Sequence, residues 1–155
     1  MPVTNAEVKQ IAASDYLNEI SKIKERIRFR ENEVQEMRCA LDVSGINYDL
    51  VSANSVSKDA LPEAVLRFID LLDGFYRELD IYQEQMKDAV KVIESLPPDV
   101  EDIARKHYIE CITWADLERE LHYSHTSMMK KRKRILIIVY DLMNEAERRK
   151  FPKAI

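Results

Sequence analysis

A chain of 155 residues that is 34% charged and 46% hydrophobic, with only two glycines and five prolines, favours long helices. It excludes a turn-rich sandwich or barrel. The net charge of −4 does not exclude a nucleic-acid partner, because residues 97–155 carry 12 Lys+Arg against 10 Asp+Glu while residues 1–96 carry 12 against 18.

Residues 1–14 show no basic stretch followed by an apolar run, so no signal peptide is predicted and they are expected to form a loose arm. From Asp15, apolar residues recur at spacings of three and four: Tyr16, Ile20, Ile23 and Ile27, then Val34, Met37 and Leu41, with Arg30 interrupting. That heptad pattern predicts one helix over about 15–42. Residues 43–61 lose the period and are rich in Ser, Asn and Asp, whose side chains compete for backbone hydrogen bonds, so they read as a connector. Val65, Phe68, Leu72, Phe75, Leu79, Tyr82, Met86, Ala89 and Ile93 then fill every a and d position of a helix predicted over about 63–95. Leu72, Phe75, Leu79, Tyr82 and Met86 are therefore assigned to packing in a stalk. Two such seams fit an antiparallel hairpin, a coiled-coil homodimer, or both.

Leu96-Pro97-Pro98-Asp99 ends this helix and starts another. It is the expected boundary between a helical-hairpin region, 1–96, and a second domain, 97–155. Three helices are predicted in the latter, over about 99–110, 114–121 and 125–149. Within the second, Thr113 can cap with Asp116 as capping-box partner, and Leu117 and Leu121 form one apolar stripe. His122-Tyr123 makes a tight turn, and Ser124 can cap the last helix. A short helix, a brief turn and a longer helix with polar residues and then Lys130-Lys131-Arg132-Lys133-Arg134 is the layout of a helix-turn-helix. The apolar run Ile135–Tyr140 is too short to cross a membrane. With no second strand to pair with it, it continues the helix.

The run Tyr108-Ile109-Glu110, then Thr113-Trp114, Leu117, Glu120-Leu121 and Tyr123-Ser124 resembles sigma-70 region 4-like domains. It is most similar to small phage regulators of the RinA/ArpU type, activators of late transcription. The resemblance spans about 15–149, and its specific part is 99–136. Two residues depart from the family pattern: Cys111 replaces a glycine at a helix end, and Lys131 replaces an apolar residue. The resemblance implies an all-α fold, a hairpin stalk followed by a sigma-70 region 4-like helix-turn-helix. It also implies a phage or prophage DNA-binding transcription regulator, acting on double-stranded DNA in the bacterial cytoplasm with RNA polymerase as a further partner, while the apolar 135–143 segment and the two heptad seams predict a homodimer. By position, His125, Thr126, Ser127, Met129 and Lys130 would meet base edges, Lys133 and Arg134 would meet phosphates, and Met128, Ile135 and Leu136 would be core.

Rival chemistries find little in the residues. His107 and Cys111 stand four apart, with His122 and His125 further on, but these spacings fit no common zinc module. His107 shares the face of Ile103 and reads as core. Cys39 and Cys111 make no disulfide framework. No glycine-rich phosphate loop is present. The expectation is a non-enzyme without metal or cofactor and without membrane attachment. The competing class is a coiled-coil adaptor whose helix-turn-helix no longer binds DNA.

Overall fold

The computed structural model describes residues 4–54, 58–144 and 147–148. All regular structure among them is helical: α1 (Asn5–Val43), α2 (Tyr48–Ser52), a 3₁₀ turn (Lys58–Ala60), α3 (Glu63–Glu94), α4 (Pro98–Ala104) running into a π-helical turn (Arg105–Ile109), α5 (Trp114–Leu121) and α6 (His125–Leu142). The all-α expectation holds. The chain divides into two compact units, one built from residues 1–24 and 86–155, the other from 25–85. Pro97 is thus a helix boundary inside the first unit, and the division falls within the long helices.

Where a loose arm is expected over 1–14, residues 5–14 are helix instead, and residues 1–3 lie outside the described chain. Thr4 Oγ1 accepts from the Glu7 N–H at 3.2 Å, and the Glu7 carboxylate accepts from the Thr4 N–H at 2.8 Å. This reciprocal capping box starts α1 ten residues earlier than the heptads do. At its other end, Gly45 takes a left-handed φ of +76°, and the Ile46 N–H reaches the Leu41 carbonyl at 2.9 Å. A glycine in this position is the usual way to stop a helix. The connector is partly ordered: the Asn47 side chain caps α2 by accepting from Leu50 N–H at 3.1 Å. Its residues 55–57 lie outside the described chain.

In the unit 25–85, α1 and α3 pair antiparallel within one chain. Val34, Leu41, Tyr48, Val51, Ile69, Leu72 and Leu79 form the buried cluster, with Phe75 packed at its margin. Tyr82 is half-buried. Arg30 lies over the Phe75 ring at 4.1 Å and pairs with Glu78 at 2.7 Å. Arg38 donates to the Tyr76 hydroxyl at 2.9 Å and to Asp49 at 2.6 Å. Partly exposed ion pairs contribute about 0–1 kcal/mol each, against roughly 1.5–3 kcal/mol for a buried leucine. The apolar seam therefore holds this unit, and the charges fix its register.

The other unit has its own cluster. Ala12, Ala13, Tyr16, Leu17 and Ile20 from α1 join Ala89, Ile93 and Leu96, then Val100, Ile103, Tyr108, Leu117, Met128, Ile135, Leu136 and Val139. Met86, assigned to the same stalk as Leu72 and Leu79, packs here. The last helix is shorter than the expected 125–149. Met143 turns extended at φ −67°, ψ 138°. The Asn144 side chain then accepts from Glu147 N–H at 2.8 Å. Arg148 donates to the carbonyls of Tyr140 and Asp141, both at 3.1 Å, covering the open end of α6.

Candidate nucleic-acid interface

Two side-chain caps set the geometry of residues 113–142. Thr113 Oγ1 accepts from Asp116 N–H at 3.2 Å and starts α5. The Asp116 carboxylate pairs with Arg119. His122 takes a left-handed φ of 58° and the Tyr123 N–H reaches back to the Glu118 carbonyl at 3.1 Å. Ser124 Oγ then accepts from Ser127 N–H at 3.1 Å, and α6 begins at His125. The residues of this short turn are thus each used: one reverses the chain, one closes the loop, one caps the next helix.

Beneath the turn lies an aromatic pack. His107 stacks on Trp114 with ring centroids 4.0 Å apart, and Tyr108 meets both rings edge-on. The π-helical turn allows it. By adding a residue to the turn, it lets Tyr108 sink into the core while His107 Nδ1 donates to the Ile112 carbonyl at 2.7 Å. A carbonyl only accepts, so the proton on this ring sits at Nδ1. Burial pushes the His107 pKa below its ordinary value, opposed by that hydrogen bond and helped by Arg132 nearby. Burial likewise raises the Tyr108 hydroxyl to about 12. Cys111 follows with a left-handed φ of 62°, a conformation that favours glycine. No three metal-ligating side chains gather among the described residues.

Helix α6 separates its faces cleanly. Met128, Ile135, Leu136 and Val139 are buried, while Thr126, Lys130, Lys133, Arg134 and Ile137 stand exposed on the opposite side. At about 100° per residue these positions lie within one exposed stripe. His125 and Ser127 are exposed beside it at the first turn. The structure thus brings six of the seven expected contact residues to one accessible region. Met129 differs: half-buried, it lines a groove with Arg132, Lys133 and Leu136 that faces Glu7, Gln10, Ile11 and Ser14 of α1.

The five-residue basic run does three different jobs. Lys130, Lys133 and Arg134 point outward, and Arg134 also pairs with Asp99. Arg132 turns inward, its guanidinium 5.7 Å from the Trp114 ring centroid. Lys131 is half-buried and rests its ammonium 5.0 Å from the Tyr123 ring centroid. The Lys131 cation therefore lies over the turn, and Met128 stays fully buried on the same helix. Two acidic residues missed in the sequence also belong to this region. Glu118, half-buried in the middle of α5, accepts from His125 Nδ1 at 2.8 Å. Glu7 lies near Lys133, which adds slightly to the lowering of its carboxyl that the Thr4 cap chiefly causes. The i to i+7 spacing of Glu118 and His125 across a three-residue turn was the available signal for the first; nothing local signals the second.

The chain matches no protein-family model, no curated protein and no solved structure.

Proposed function

We propose that the protein is a DNA-binding transcription regulator whose α6 enters the major groove of double-stranded DNA. One observation carries this reading: the stripe Thr126, Lys130, Lys133 and Arg134 is exposed, while the same helix is locked from behind by Met128 and Ile135. A helix of this width fits the major groove, and cations at its flank release condensed counterions when they meet phosphates. Small polar side chains at the first turn, His125, Thr126 and Ser127, sit where base edges are read in helix-turn-helix proteins. The sequence resemblance to sigma-70 region 4-like phage regulators supports the finer reading of an activator of late phage genes that touches RNA polymerase in the bacterial cytoplasm, and the two heptad seams support a homodimer. A coiled-coil adaptor without DNA affinity is the second reading. It draws on Asp99 and Glu118, which occupy Arg134 and His125.

The experiment is a salt titration on a site selected from a random duplex pool and on a scrambled duplex. Lys133→Ala weakens both and lowers the salt slope by about one unit. Thr126→Ala and Lys130→Ala relax preference at particular base pairs, each by about 1–3 kcal/mol of discrimination. A folded protein in which all three substitutions are silent is the adaptor.

A further inference from the structure

We propose that Glu118 and His125 form one base-reading unit, in which Glu118 orients the imidazole so that Nε2 of His125 accepts a hydrogen bond from an amino-bearing base. The inference rests on the DNA-binding reading above and adds to it a chemical class of base. His125 Nδ1 stands 2.8 Å from Glu118 Oε1. A carboxylate oxygen only accepts, so the shared proton belongs to Nδ1. In the neutral ring, Nε2 on the opposite edge is then an acceptor. The exposures of the two side chains divide the roles: 20% for Glu118 and 74% for His125. Glu118 is the anchored partner, because its neighbour Leu117 is fully buried and its own carbonyl receives the Tyr123 N–H that closes the turn. His125 is the presented one, at the first residue of α6 beside exposed Thr126 and Ser127.

In the major groove, adenine and cytosine offer an amino donor, whereas guanine and thymine offer acceptors. An acceptor held at Nε2 pairs with the first two and repels the others. Glu118 touches no DNA in this arrangement; it is a positioning residue that acts through the ring.

The test uses the full chain at alkaline pH, with the neutral imidazole followed by ¹⁵N NMR. Free His125 is expected as the Nδ1–H tautomer, which Glu118→Gln retains through its amide oxygen and Glu118→Ala loses. Selection from a random duplex pool at the same pH is expected to disfavour guanine and thymine at one position by about tenfold. Glu118→Ala and His125→Ala abolish that preference while other positions keep theirs, and Glu118→Gln restores it. An Nε2–H tautomer in the unsubstituted protein overturns the inference. So does binding that depends on Lys133 while no position depends on His125, and in that case the DNA-binding reading stands. A folded chain with the Nδ1–H ring and no affinity for any duplex overturns the DNA-binding reading, and this inference with it.

Discussion

Cys111 carries the clearest local strain in the chain. A side chain at φ 62° crowds its own carbonyl, a conformation that glycine adopts without penalty. Cys111→Gly is expected to stabilise the unit containing it by about 1 kcal/mol, read as a higher urea midpoint at unchanged slope. An unchanged or lower midpoint would mean that the contact of its thiol with the Ile109 carbonyl at 3.8 Å outweighs the strain. His107 gives a pH signature. Its folded pKa lies below the ordinary 6.5, so between the two values the unfolded chain binds more protons than the folded one. Stability therefore rises with pH through that window and is lost as pH falls below about 6.5. Glu147 acts in the opposite sense just above 4.5, because burial raises its carboxyl. Urea midpoints of the parent and of His107→Gln, compared from pH 7.5 downward, isolate the histidine. A variant that keeps the parent's slope near pH 6 would assign it to another group.

Which helices could be read from the sequence depended on how their ends are made. Helix α5 and the start of α6 fall at the expected residues, because Thr113 and Ser124 cap them with their own side chains. The start of α1 was hidden for a related reason. Its box, Thr4 to Glu7, is written in the sequence, but the turns after it pack through Ala12 and Ala13, too small to register as a heptad seam. The π-helical turn over 105–109 was not legible at all. It goes with the His107 bond to Ile112 and the stack on Trp114, contacts that exist only after folding. Along α3 the heptads located Leu72 and Leu79 correctly but could not say that Met86 serves a different cluster. This separation is open to test. Leu79→Asp places an unpaired charge in the 25–85 cluster and is expected to melt that unit. Native-state hydrogen exchange should show lost protection around Val34, Leu41 and Leu72, with the amides of α5 and α6 still protected. Uniform loss over both units would mean that they unfold as one.

At the scale of the whole chain, the two compact units do not divide at Pro97, where the sequence places a boundary. The composition break at Pro97 marks where charge changes sign, whereas compactness follows burial, which crosses that proline. Leu17 and Ile20 before it are buried in the same cluster as Met128 and Ile135 after it. A fragment of residues 97–155 therefore lacks the α1 and α3 surfaces that cover its apolar side. It is expected to keep helical far-ultraviolet dichroism but to lose a cooperative thermal transition and to bind a hydrophobic dye. A sharp melt from this fragment would establish that α4 to α6 are self-sufficient. Among the described residues, no helix is long and apolar enough to cross a membrane.

The discontinuous unit also has a history in time. Residues 5–24 leave the ribosome before residues 86–144, whose buried cluster they complete, and the 25–85 unit is made in between. At roughly 5–20 residues per second, that interval lasts on the order of ten seconds. During it Leu17 and Ile20 lack the later residues that bury them in the finished chain. The cluster around Leu17 and Ile20 is therefore completed only once residues 86–144 have been made.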